Sequence, residues 1–162
     1  MLGEVIDLSA PIDSAAVLDL YFGCKPRDIG EFAVLTPAAR NLADFRQLCA
    51  NPLRDFSGWV GRGFVGETQG RRIAALFAGI GSSIIGDATL AVGYGSCKVA
   101  VLIGSVGGFE NTMSIGDVVL ADEAVVGEGL SRYHQFRAPS QDTFGQIVMW
   151  LLTHFHDVNA MP

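Results

Sequence analysis

Apolar residues occur along this chain in short runs, and the clearest runs end at turns rich in glycine. Residues 73–78 lead into Gly79-Ile80-Gly81-Ser82, and residues 99–103 lead into Gly104-Ser105-Val106-Gly107. A short apolar run that stops at glycine is typical of a buried strand in a parallel sheet. Between the two runs, small and apolar residues recur at helical spacing over positions 84–92. This segment therefore predicts a strand–helix–strand unit.

The rest of the pattern predicts further elements on both sides of that unit. We expect a helix over 9–23, capped by Asp13 or Ser14 and ended by Gly23. Later elements are a strand over 31–36, a helix over 38–48, a loop over 50–55 broken by Pro52, a strand over 59–66, a hairpin turn over 67–70, a strand from Asp117 to 128 and a helix over 140–155. The predicted fold is a single α/β domain over residues 1–162, with three layers and a mixed central sheet between helices.

The two glycine-rich turns are the first candidates for a site. Ligands of open α/β sheets bind beyond the carboxyl ends of the strands, where both turns should lie. Glycine brings bare backbone N–H groups close to a ligand, and the hydroxyls of Ser82 and Ser105 can donate and accept hydrogen bonds. These residues, with Gly79 and Gly81, indicate a pocket for a small, oxygen-rich ligand. The alternative is that the glycines only form tight turns and allow close packing.

Composition excludes several classes of protein. Of 162 residues, 49% are hydrophobic and 17% are charged, which is typical of a globular protein. The net charge of −6 argues against a nucleic-acid partner. Because no apolar run is long enough to span a membrane and the start lacks a basic region, we expect a cytoplasmic protein without a membrane partner. Cys24, Cys49 and Cys97 form no metal-binding or disulfide pattern.

Two longer segments of the sequence resemble those of a known protein family. Residues 79–83 read GIGSS, and residues 103–129 read IGSVGGFENTMSIGDVVLADEAVVGEG. Together they resemble the nucleoside phosphorylase and nucleosidase superfamily, particularly its uridine and purine nucleoside phosphorylase branch. The resemblance implies a nucleoside phosphorylase-like fold and action on the N-glycosidic bond of a nucleoside. It also implies a nucleoside or nucleobase as the small-molecule partner, and phosphate as co-substrate with no other cofactor.

The resemblance also implies roles for individual residues. The phosphate and ribose would be bound by Gly79, Gly81, Ser82 and Ser105. The base would lie against Val106 and Gly107, and the outer contacts would be Glu128 and His134, as the residues that match the family's corresponding segments.

This chain departs from the family pattern at the positions that handle phosphate and the leaving base. Leu42, Trp59 and Leu102 stand where phosphorylases of the family carry phosphate-binding arginines, and Arg40 lies near the first of these positions. No match exists for the family's Met-Glu pair or its late Asp, so the chain resembles the amino-terminal part of the family's domain and its catalytic residues stay unassigned. Three hypotheses follow: an enzyme of the family, a non-catalytic relative that binds nucleosides or nucleobases, and a structural or oligomerisation module. A sheet edge left uncovered favours self-association as a homo-oligomer.

Overall fold

The computed structural model describes residues 13–49 and 51–121. The chain divides into two compact units, Met1–Val106 and Gly107–Pro162. Every helix and strand found among the described residues lies in the first unit, in the following order: α1 (Ser14–Phe22), α2 (Pro26–Ile29), β1 (Phe32–Thr36), α3 (Asn41–Leu48), β2 (Asn51–Ser57), β3 (Arg62–Thr68), β4 (Arg71–Phe77), α4 (Ser82–Gly93) and β5 (Val99–Leu102).

The five strands form one mixed sheet in the order β2-β3-β4-β1-β5. The central β1 is parallel to β4 on one side and to β5 on the other, so that Leu35 lies opposite both Leu76 and Leu102. The strand β3 is antiparallel to both of its neighbours, β2 and β4. The predicted unit of strand, helix and strand is thus β4–α4–β5, and its two strands lie on either side of β1.

Helices cover both faces of this sheet. Ala33, Leu35, Ala74 and Leu76 share one face, where they belong to a buried cluster with residues of α1 and α4: Leu18, Phe22, Ala88, Ala91 and Val92. The opposite face carries Phe64, over which α3 places the side chain of Arg46. In the part of the chain that is described, the three-layer α/β/α arrangement predicted from the sequence is confirmed.

Local sequence signals explain where α1 begins and ends and where the β3–β4 hairpin turns. The side chain of Asp13 accepts hydrogen bonds from the backbone N–H groups of Ala15 and Ala16, and Gly23 ends α1 with a φ of 68°. Both residues had been predicted in these roles. The β3–β4 hairpin turns at Gln69 and Gly70, whose φ values are 50° and 72°. Positive φ at both central residues is typical of a two-residue hairpin turn. The turn is therefore shorter than the predicted 67–70, and Glu67 lies in β3.

Two further sequence predictions were wrong in detail. The segment around Pro52 was predicted as a loop, but it forms β2. Because β2 is an edge strand and its register shifts between Pro52 and Arg54, the missing N–H of proline removes no hydrogen bond that the sheet needs. The strand predicted from Asp117 does not form over residues 117–121, where Val118 is exposed and none of the described strands pairs with the segment.

Asp117 has a structural role in a turn. Its carboxylate accepts a hydrogen bond from the backbone N–H of Ser114 across 2.7 Å, which stabilises a turn in the second unit. The remainder of that predicted strand and the helix over 140–155 lie outside the described residues. Among the residues that are described, no helix has the length and apolar character to cross a membrane.

Candidate functional site

Three turns begin side by side at one edge of the sheet, because β1 hydrogen-bonds to the ends of both neighbouring strands. The N–H of Ala78 donates to the carbonyl of Thr36 across 3.2 Å, and the N–H of Ile103 donates to the carbonyl of Leu35 across 2.9 Å. The carboxyl ends of β1, β4 and β5 therefore lie together. This edge is where open α/β sheets bind their ligands.

The turn after β4 depends on two glycines. Gly79 has a φ of 87° and Gly81 a φ of 117°, values that residues other than glycine rarely adopt. A Cβ at Gly81 would meet no atom within 4 Å, so conformation alone explains the glycine there. At Gly79 a Cβ would lie 3.2 Å from Cγ2 of Ile84, so close packing contributes as well. Between them Ile80 is 79% exposed, which leaves an apolar side chain beside the open backbone.

The first turn of α4 presents uncapped backbone donors next to these glycines. Gly81 is the N-cap residue, and no side chain in the described residues caps the helix. Ser82 and Ser83 follow, and both are exposed. Free N–H groups and the helix dipole favour an anion or an electron-rich oxygen at such an end.

The turn after β5 lies against the turn after β1. A Cβ at Gly104 would be 3.2 Å from Cγ of Pro37, so only glycine permits this approach without displacing the proline ring. Ser105 and Val106 follow in exposed positions, with Val106 73% exposed. The hydroxyl of Ser105 is thus available to a ligand at the shared edge of the sheet.

The turn after β1 is held by a buried hydroxyl. Thr36 is completely buried, and its Oγ1 accepts hydrogen bonds from Nδ2 of Asn41 at 2.9 Å and from the N–H of Ala38 at 3.3 Å. Arg40 is exposed and occupies the N-cap position of α3. It is the one cationic residue in the three turns, residues 37–40, 78–81 and 103–106.

None of the three residues at the matched arginine positions supplies a cation. Trp59 is 83% exposed, in the loop where its N–H donates to the carbonyl of Leu20 at the end of α1. Leu102 is 54% exposed and shares a sheet face with Leu35. Leu42 is half-buried on α3. The edge therefore offers neutral donors, namely hydroxyls and backbone N–H groups, more than positive charge.

The structure brings together most of the candidates that belong to the first unit. Gly79, Gly81 and Ser82 follow β4, and Ser105 with Val106 follows β5 at the same edge. Gly107 is exposed and belongs to the second unit. Glu128 and His134 lie outside the described residues. No group of three or more potential metal ligands occurs in residues 13–49 and 51–121.

One feature near this edge was not predicted from the sequence. An open pocket of about 570 Å³ lies between α3 and the β2–β3 hairpin, with Arg46, Asp55, Arg62 and Phe64 in its lining. The signal available in the sequence was the alternation of Arg62 and Phe64 on one strand, which places both on the same face. The prediction of a loop at 50–55 hid the strand that brings Asp55 to this face.

Comparison with known proteins gives two findings. A family model described as the phosphorylase superfamily matches residues 31–161. Among solved structures, the chain is similar to a crystal structure of purine nucleoside phosphorylase from Toxoplasma gondii in complex with immucillin-H, with 16% sequence identity and a TM-score of 0.47. That similarity covers 51% of this chain and 33% of the other chain, so the chain spans about a third of that protein's length.

Proposed function

Because the chain belongs to the phosphorylase superfamily, whose family model matches residues 31–161, we propose that it binds a nucleoside and acts on its N-glycosidic bond. The observation that carries the proposal is the meeting of three turns at the carboxyl ends of β1, β4 and β5, within the matched range. A nucleoside is rich in hydroxyl oxygens and carries no charge, which suits an edge of neutral donors.

In this proposal the two glycine-rich turns bind the sugar and any phosphate. Gly79, Gly81 and Ser82 provide open backbone and the uncapped start of α4, and Ser105 provides a hydroxyl after β5. Val106 is 73% exposed and would contact the base, and Gly107 stays a predicted base contact. Glu128 and His134 stay predicted outer contacts. Phosphate as co-substrate, self-association and a cytoplasmic location likewise stay predictions from the sequence.

A second candidate function is binding of nucleosides without turnover. It is favoured by the residues at the matched arginine positions: Leu42, Trp59 and Leu102 cannot neutralise a bound phosphate. Backbone N–H groups and one serine hydroxyl bind phosphate more weakly than a charged, planar guanidinium does. The same lack of positive charge, in a chain that does cleave nucleosides, would favour water over phosphate as the nucleophile.

An assay of base release separates these functions. The purified chain is incubated with inosine, adenosine or uridine, with and without phosphate, and free base is measured by liquid chromatography. Release that requires phosphate identifies a phosphorylase, and release without phosphate identifies a nucleosidase. Binding without release identifies the second candidate. If no nucleoside binds and no base is released, the proposal is wrong.

A pair of glycine variants ties any activity to the candidate site. Gly81→Ala alters the turn after β4, where φ is 117°. Gly70→Ala places the same side chain at another positive φ, in the β3–β4 hairpin, and neither Cβ would meet an atom within 4 Å. We expect release or binding to fall in the first variant and to persist in the second.

A further inference from the structure

The pocket between α3 and the β2–β3 hairpin combines an apolar wall with charged groups. Ala39, Leu42 and Ala43 line it from the side of α3, and Phe64 lines it from β3. Its volume of about 570 Å³ lies within the range of small-molecule sites in proteins. Its lining includes none of the residues assigned above to the nucleoside, so it is not explained by the proposed function.

Phe64 and Arg46 lie in contact within the lining of the pocket. Only 1% of Phe64 is exposed, and the guanidinium carbon of Arg46 lies 4.7 Å from the centre of its ring. Arg46 also forms an ion pair with Asp55, which stands opposite Phe64 in the β2–β3 register. The two charges of this pair cancel, and the guanidinium also makes a cation–π contact with the ring.

Arg62 supplies the positive charge that remains. It lies two residues before Phe64 on the same face of β3, and its guanidinium carbon is 5.7 Å from the centre of the Phe77 ring. Among the described residues it forms no ion pair. Contact with a ring face leaves the N–H groups at the edge of a guanidinium free to donate, and their fork matches the oxygens of a carboxylate or a phosphate.

From this arrangement we propose that the pocket is a binding site for a small organic anion with a flat apolar body, such as an aromatic carboxylate or phosphate ester. The anionic group pairs with Arg62, and the apolar body lies along Ala39, Leu42 and Ala43. Arg46 stays paired with Asp55, so Arg62 gives the site a net positive charge that favours an anionic ligand.

Titration of the 15N-labelled chain of residues 1–162 with benzoate and with phenyl phosphate tests this site, and benzamide is the neutral control. We expect saturable shifts at the amides of Arg46, Gly63 and Phe64 with either anion, and at least tenfold weaker binding of benzamide. The ratio between the two anions shows whether carboxylate or phosphate is preferred. Non-saturable shifts, equal binding of benzamide, or shifts confined to residues 79–83 would overturn the proposal.

Substitutions at Arg62 test whether this residue binds the anionic group of the ligand. A hydrogen bond between charged groups contributes about 1.5–3 kcal/mol, so Arg62→Gln should weaken binding by at least about tenfold. Arg62→Lys keeps the charge without the planar fork and should bind with intermediate affinity. Arg71→Gln is the matched control, because Arg71 lies over the Phe32 ring at 5.5 Å but outside the pocket's lining. Equal weakening by Arg71→Gln, or unchanged binding by both Arg62 variants, would contradict the assignment.

Discussion

The side chain of Asn41 donates a hydrogen bond across 2.9 Å to the hydroxyl of Thr36, which is completely buried. This bond connects the last residue of β1 to the first residue of α3, and the same hydroxyl accepts from the N–H of Ala38 between them. The turn after β1 is therefore fixed by one oxygen atom inside the protein. The residues that begin the turns after β4 and β5 donate hydrogen bonds to the end of β1. The Thr36 hydroxyl therefore helps to position all three turns of the candidate site.

Replacing Thr36 with valine should destabilise the fold. Valine has nearly the same shape but no oxygen, so both donors lose their acceptor in a buried place, at a cost of about 1–3 kcal/mol. Urea unfolding of the wild type, Thr36→Val, Asn41→Ala and the double variant measures this cost. If the two single effects add fully in the double variant, the hydrogen bond between the two side chains does not contribute.

Two glycines of the first unit should respond to alanine in opposite directions. A Cβ at Gly63, which lies in β3 between β2 and β4, would be 2.2 Å from the carbonyl oxygen of Ala75, so Gly63→Ala should cost about 3 kcal/mol of stability. Gly93, the last residue of α4, has no atom within 4 Å of such a Cβ. Gly93→Ala should stabilise by about 0.5–1 kcal/mol, because alanine loses less backbone entropy on folding. A stabilising Gly63→Ala would contradict the packing described for β3 and β4.

The free energy of unfolding should decrease at alkaline pH because of the buried thiol of Cys24. Burial, aided by the nearby charge of Asp28, raises the pKa of this thiol from 9.0 to about 12. Between those values the unfolded chain releases the proton and the folded chain retains it, so the thiol's contribution is complete below pH 9 and is lost as the pH rises toward 12. Urea unfolding at pH 8 and at pH 10.5 should show a smaller decline in Cys24→Ala than in the wild type. Equal declines would mean that the thiol is not desolvated.

Most of the fold was accessible from the sequence. The predictions of an α/β fold with a mixed sheet and of a nucleoside phosphorylase-like family are confirmed. The strands β1, β4 and β5 and the helix α4 were found because their apolar runs and periodicity are strong and end at glycine. These are also the elements that place the turns of the candidate site.

The errors came from segments whose structure depends on distant partners. The strand β2 contains Pro52 and is mostly exposed, and it forms because β3 offers a sheet edge that tolerates proline. Residues 117–121 were predicted as a strand because of their apolar residues, but they form none. A strand also needs a neighbouring strand with which to pair. The pocket at Arg62 was missed for the same reason, since its walls come from three separate elements.

If the turns after β4 and β5 bind a nucleoside, thermal unfolding with a panel of purine and pyrimidine nucleosides should show it. A ligand present at 100 times its dissociation constant stabilises the native state by about 2.7 kcal/mol, so at least one nucleoside should raise the melting temperature clearly. Gly81→Ala should abolish that shift, and Gly70→Ala should keep it, although each variant loses about 1–3 kcal/mol of stability through its positive φ. The absence of a shift with every nucleoside, or an equal shift in both variants, would contradict nucleoside binding at these turns.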